Sequence, residues 1–183
     1  MFDFLTEMKK YCEIIIFTAA TKEYADVILD CLEINNINNL NKYEKKHFNY
    51  NIDENSIMNE SSINDSDCSL EELYKNRLFD FRLYRQHTSF HGISIVKDLS
   101  WIGRDMNKTI IIDNIADNFK LQHSNGLHIK TWCGDIKDQE LLYLHGLLGK
   151  IFIKNPSNVI PYLKQLKDGY KKSNTYSDVE LFI

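Results

Sequence analysis

No two cysteines in this 183-residue chain are spaced to share a zinc ion. Cys12, Cys31, Cys68 and Cys133 stand far apart without a C-x-x-C pair, which argues against a zinc knuckle or a disulfide framework and suits a reducing compartment. The stretch from Met1 to Lys10 lacks the basic start and apolar middle of a signal peptide. No apolar run approaches membrane-spanning length. The chain therefore reads as soluble and intracellular, with no membrane partner. A surplus of positive charge is missing too, since the net charge is −4, so nothing suggests direct nucleic-acid binding or an anionic lipid surface. No basic run of the kind that directs nuclear import is present.

What is present is enough apolar material for one ordinary core, 43% of residues. The pattern predicts a single α/β domain over residues 1–170, followed by a polar tail at 171–183 that should fray. Phe4, Leu5 and Met8 recur at helical spacing and lead into an apolar β-rich run from Ile14 to Phe17. A helix is expected from Lys22 to about Leu32 on Tyr24, Ala25, Ile28, Leu29 and Leu32. From Glu33 to Cys68 the composition turns to Asn, Ser, Asp, Glu and Lys, which predicts a disordered low-complexity insertion in a surface loop. Ser69-Leu70-Glu71-Glu72 then forms a capping box for a helix through about Phe79. Strands are expected at Phe81 to Arg85 and within Ile93 to Lys97, with a strand-like run from Leu127 to Trp132 that puts Trp132 in the core. A leucine-rich amphipathic helix spans Asp135 to Phe152, and a last one surrounds Val159 to Leu166.

The organising stretch is Thr109-Ile110-Ile111-Ile112-Asp113-Asn114. Its β-branched run reads as a strand buried on both faces, as in a parallel sheet. It delivers a carboxylate and an amide to the carboxyl end, where open α/β sheets bind ligands, so Asp113 and Asn114 suit a hard cation or a phosphate. The plainer alternative is that Asp-Asn merely opens a loop. Ile14 to Phe17 ends likewise in Thr18, a hydroxyl facing the same edge. Lys97 closes the Ile93 to Val96 run and reads either as a surface ion pair or as a cation balancing phosphoryl charge. His87 and His91 could chelate a metal on a helix, but the intervening Thr88-Ser89-Phe90 and following Gly92 favour a loop or strand and structural roles. Asp65-Ser66-Asp67-Cys68-Ser69 has the D-x-D-x-[ST] spacing of a phosphatase nucleophile. That motif needs an apolar strand directly before it, and Ser61-Ser62-Ile63-Asn64 is none, so the match reads as chance.

Three blocks carry a resemblance. Ile14-Ile15-Ile16-Phe17-Thr18-Ala19-Ala20-Thr21-Lys22-Glu23-Tyr24-Ala25-Asp26, then Arg82-Leu83-Tyr84-Arg85-Gln86-His87-Thr88-Ser89-Phe90-His91 running into Val96-Lys97-Asp98-Leu99-Ser100, then Ile110-Ile111-Ile112-Asp113-Asn114 stand in the order and spacing of the small C-terminal-domain phosphatases. In these the chain resembles the FCP/SCP-like, NLI-interacting-factor-like branch of the haloacid dehalogenase superfamily, and Thr131-Trp132 and Asp138 to Leu142 extend the match to about residue 152. The resemblance implies a HAD-like (Rossmannoid) parallel sheet with flanking helices. It implies a Mg²⁺-dependent phosphatase of phosphoserine or phosphothreonine proteins, acting through an aspartyl-phosphate, with the RNA polymerase II C-terminal domain as a typical substrate and the nucleus as its place.

Residue by residue, it implies that Thr18 and Lys97 bind and stabilise the phosphate. Asn114 would hold Mg²⁺ with support from Asp113, and Tyr24 and Arg85 would line the peptide groove. The family's D-x-D-x-[TV] motif, expected on an apolar central strand before Ile14 and between the strands of Thr18 and Asp113, does not occur there. The expectation is thus a fragment or truncated gene model of an active enzyme, itself inactive. The alternative is a non-catalytic binding or scaffold module of the same fold, like the inner-mitochondrial-membrane translocase subunit.

Overall fold

Side-chain periodicity sets the first element of the computed structural model, which describes residues 1–48 and 77–173, with side chains for 1–36 and 77–168. Helix α1 (Phe2–Met8) buries Met8 and turns Phe4 and Leu5 toward two different apolar clusters. The chain then enters strand β1 (Ile15–Phe17) and helix α2 (Lys22–Phe48). Strand β2 (Phe81–Leu83) returns parallel to β1, with Ile15 opposite Phe81 and Phe17 opposite Leu83. Strands β3 (Ser89–His91) and β4 (Ser94–Val96) form an antiparallel hairpin whose turn passes through Gly92 at φ 69°, a conformation that glycine adopts without Cβ strain. Strand β5 (Ile111–Asp113) pairs in parallel with β6 (Gly126–His128) across a run of 3₁₀ turns at Ala116–Asn125. Helices α3 (Glu140–Lys154) and α4 (Ile160–Ser173) complete the described chain.

Helix–strand alternation and parallel pairing make this an α/β fold, as expected. The described strands form three two-stranded sheets, and β1 and β5 each hydrogen-bond one neighbour and not each other. Side chains link the two parallel ladders at both ends. At the amino end Arg104 grips Glu13 with two bonds of 2.7 and 2.9 Å, and at the carboxyl end the Lys97 ammonium lies 6.0 Å from the centre of the Phe17 ring.

The core falls into clusters on the two sides of these ladders. One gathers Met8, Leu127, Leu144, Leu148, Ile151, Val159 and Leu163, with Ile14, Ile110 and Ile112 packed on it. The other gathers Ala25, Leu29, Leu78, Phe79 and Tyr84, with Ile16 against it. Ile111 points the opposite way from its neighbours and packs with Leu99 and Phe119. The period of two along a strand thus lets β5 bury both faces, which its unbroken apolar run foretold.

Several expectations need correction. Helix α2 does not end near Leu32 but continues to Phe48, so residues 33–48 are helix rather than loop insertion. This stretch is polar, yet it contains neither proline nor glycine, the residues that cost a helix most. The rest of the presumed insertion, the Asp65 to Ser69 match and the capping box at Ser69 lie outside the described residues, while residues 77–80 are not helical. Trp132 is not in the core; it is 68% exposed, and its indole N–H donates to the Asp135 carbonyl. Strand β6 ends at His128, so the chain leaves the ladder before Trp132. Helix α3 starts at Glu140, five residues after Asp135, because the Asp135 and Asp138 carboxylates accept the N–H groups of Lys137 and Glu140 in tight turns.

Candidate functional site

Side-chain contacts link the carboxyl ends of β1, β4 and β5, where Lys97 after β4 reaches Asp113 of β5 and lies over Phe17 of β1, and the residues that follow these strands define the site. Lys97 follows β4, and its ammonium donates to Asp113 Oδ2 at 2.5 Å. Both side chains are nearly sealed, 11% and 3% exposed. A buried charge is tolerated only when paired and hydrogen-bonded, and Asp113 is satisfied in full. Its Oδ1 accepts the Ile115 N–H at 2.8 Å, and the Asn118 amide lies 3.2 and 3.1 Å from its two oxygens. The backbone of Lys97 is fixed as well, since its N–H donates to the Asn118 carbonyl at 2.6 Å.

Gln122 continues this clamp. It accepts the Leu99 N–H through Oε1 and donates to Asp98 through Nε2. Burial pushes the Asp98 carboxyl up, but the bonds from Ser100 and Gln122 outweigh it and hold the group below its ordinary value.

Thr18 follows β1 directly. Its N–H closes the β1–β2 ladder on the Leu83 carbonyl, and its hydroxyl oxygen accepts the Ala20 N–H at 3.0 Å. Arg85 reaches the same turn, donating through Nε to the Ala19 carbonyl at 2.7 Å, with its own N–H on the Ala20 carbonyl. The 3₁₀ turn carrying Arg85 is locked by His87, whose Nδ1 accepts the Tyr84 N–H. His87 and His91 accordingly sit on different elements, a turn and β3, and do not form a chelating pair. Tyr84 is in turn anchored to α2, where its hydroxyl donates to Asp26. Hydrogen bonds from Lys22 and Tyr84, joined by Arg82, hold the Asp26 carboxyl far below its usual range. Tyr24 lies exposed on the first turn of α2, beyond the Thr18 loop.

Asn114 is exposed at the carboxyl end of β5. Its amide nitrogen donates to the Thr131 hydroxyl at 3.0 Å, which leaves its carbonyl oxygen as the ligand atom on offer. His128 Nε2 lies 3.1 Å from the backbone carbonyl of Asn114, which leaves the side-chain oxygen unaffected. Among the described residues no three His, Cys, Asp or Glu side chains converge as a metal cage, and Asp113, with both oxygens taken, cannot serve as a direct ligand without losing a partner. The structure therefore gathers Lys97, Asp113 and Asn114 at the carboxyl end of β5 and Thr18 with Arg85 at that of β1, with the Lys97 ammonium 6.0 Å from the centre of the Phe17 ring between the two groups. Asn118, Gln122 and Thr131 join them without having been singled out in the sequence, where an amide five residues after a strand-end Asp carries no distinguishing pattern.

Chemically, this edge offers a sequestered ammonium, a hydroxyl, a guanidinium and an amide oxygen. A phosphate monoester or other oxyanion matches that set. Among the described residues no helix is long and apolar enough to cross a membrane.

Residues 1–59 and 50–160 match the family of NLI interacting factor-like phosphatases. The chain is 32% identical over 148 residues to CTD small phosphatase-like protein 3 of Caenorhabditis elegans, covering 81% of this chain and 38% of that protein. It is 28% identical over 142 residues to the human carboxy-terminal domain RNA polymerase II polypeptide A small phosphatase 2, covering 78% and 37%. Over 107 residues it is 36% identical to the mitochondrial import inner membrane translocase subunit TIM50 of Gibberella zeae, covering 58% and 17%. The chain thus spans less than two fifths of the length of each of these relatives.

Proposed function

The chain belongs to the NLI interacting factor-like phosphatase family, and on that premise we propose that residues 1–170 act as a Mg²⁺-dependent phosphoserine/phosphothreonine phosphatase domain of HAD-like architecture. The observation that carries this reading is the buried Lys97 ammonium, held by Asp113 and 6.0 Å from the ring of Phe17, the residue before Thr18. Surface lysines are solvated points; a lysine kept dry and oriented by a carboxylate is prepared to meet an anion. In this reading Lys97 and the Thr18 hydroxyl hold the phosphoryl oxygens, and Arg85 and Tyr24 line the groove for the peptide. Asn114 offers its amide oxygen to Mg²⁺, and Asp113 contributes negative charge from behind while keeping Lys97 in place. When bound, Mg²⁺ would neutralise charge on the phosphoryl group.

The substrate class follows from the family, with the RNA polymerase II C-terminal domain as the model and the nucleus as the place of action. The family reaction passes through an aspartyl-phosphate. Asp113 is not the attacking carboxylate, because three donors already occupy it, and the neighbouring Asp98 carboxylate is likewise taken by Ser100 and Gln122.

That occupancy favours a second reading, in which the chain serves as a binding or scaffold module without turnover. The identity shared with the translocase subunits points the same way. Orthophosphate titration of the 183-residue chain, followed by amide chemical shifts, separates these readings from a fold with no phosphate site at all. Saturable shifts at Thr18, Lys97 and Asn114 that vanish in Lys97→Met support the phosphate site. Tightening by Mg²⁺ that is lost in Asn114→Ala supports the metal role, and the absence of any saturable shift would sink both. Hydrolysis of p-nitrophenyl phosphate by the same chain free of orthophosphate would favour the enzyme, and phosphate binding without hydrolysis the module.

A further inference from the structure

We infer that Asn118 is a positioning residue that sets how much of the Lys97 ammonium is available to a phosphate, an inference that rests on the phosphate site proposed above. Among the described residues, Asn118 is the one that holds both members of the buried pair. Its carbonyl accepts the Lys97 N–H at 2.6 Å, and its amide lies within 3.2 Å of both Asp113 oxygens. It is itself buried, in the 3₁₀ run between β5 and β6.

The consequence is electrostatic competition. Lys97 has three N–H donors, and the bond to Asp113 uses one of them. An arriving phosphate must share the same ammonium, and Asp113 resists in proportion to its unmet need for donors. The Asn118 amide and the Ile115 N–H supply that need from the other side. With them in place, Asp113 can orient Lys97 without monopolising it. Without the amide, a low-dielectric carboxylate would draw the ammonium inward and lower the affinity of the edge for an oxyanion.

The backbone half of the clamp works in the same direction. The Ser94 hydroxyl donates to Asp117, the Lys97 N–H to the Asn118 carbonyl and the Leu99 N–H to Gln122, so the chain on both sides of Lys97 is fixed to the 3₁₀ turns between β5 and β6. Lys97 can then change partner through its side chain alone.

The test is orthophosphate titration of the full chain and three variants, with thermal melts as a check on folding. Asn118→Ala is expected to weaken phosphate about tenfold, the weight of one hydrogen bond to a charged group. Asn118→Ser, which keeps one donor, is expected to fall between, and it carries the test if Asn118→Ala does not fold. Asn118→Ala is expected to leave the amide shifts of Thr18 and Asn114 in the phosphate-free chain unchanged, because its influence passes through Lys97; displaced shifts across the site would mean general loosening and overturn the positioning role. Phosphate that binds the unaltered chain, is lost in Lys97→Met, and is unchanged in both Asn118 variants overturns the positioning role alone. Failure of the unaltered chain to bind phosphate overturns the underlying reading and the inference with it.

Discussion

Lys97 Nζ and Asp113 Oδ2 meet at 2.5 Å inside the protein, but the two partners depend on each other unequally. Asp113 has two further donors, Ile115 and Asn118, whereas among the described residues the Lys97 ammonium hydrogen-bonds Asp113 alone. Removing the carboxylate therefore strands a buried cation, while removing the cation leaves a carboxylate still bonded. Asp113→Ala is expected to cost about 3–5 kcal/mol of stability, and Lys97→Met clearly less, about 1–2 kcal/mol. Urea unfolding of the two variants checks the order, and equal losses would refute the asymmetry.

Gly126 should tolerate no side chain. A Cβ built there would lie 2.0 Å from the ring of Phe119, which is itself 1% exposed. Gly126→Ala must displace that ring or strand β6, so a loss of about 1–3 kcal/mol is expected. Phe119→Leu in the same chain should recover part of it, because the two substitutions compete for one space. Additive losses in the double variant would count against this packing.

Acid should loosen the junction between α1 and β1. Burial pushes the Asp80 carboxyl up, but the Lys9 ammonium and the Ile14 N–H outweigh it and hold the group below its ordinary value. A carboxyl depressed in the folded state stabilises the fold above its unfolded pKa, about 3.9, and this contribution is lost as pH falls through the folded value. Stability should thus be level from neutral pH to about 5 and fall below about 4, with Asp80→Asn showing a shallower acid limb. A limb unchanged by Asp80→Asn would mean that other carboxylates, Asp26 and Glu13 among them, carry the effect.

Trp132 offers the opposite expectation from a buried aromatic. With its ring mostly in solvent and one hydrogen bond to Asp135, Trp132→Ala should change stability by no more than about 0.5 kcal/mol. A loss of the size expected for a core tryptophan, about 3–5 kcal/mol, would show that the ring is covered in solution.

The elements legible in the sequence were those with a strong local signal. The apolar run at Ile110 to Ile112 declared a strand buried on both faces, and Met8 declared a helix face that is indeed interior, while of the leucine-rich helix Leu144 and Leu148 are interior and Leu142 is exposed. Polar composition misled at residues 33–48, where an Asn-rich stretch without proline or glycine remained helical. Trp132 misled for a related reason, since hydrophobicity alone does not say where a strand stops. The three blocks that carry Thr18, Lys97 and Asp113-Asn114, in their order and spacing along the chain, were also enough to indicate the family.

Tertiary structure decided what those residues can do. No spacing rule places Asn118 on both Lys97 and Asp113, or Arg85 on the Ala19 carbonyl, because these contacts join segments whose separation in sequence carries no periodic signal. Sequence determined which side chains arrive at the strand ends, through short-range periodicity of two and 3.6 residues. Only the folded chain decided which charges are sealed, which donors are already spent, and therefore which groups remain for a ligand, since burial and hydrogen-bond accounting are properties of the whole packed molecule.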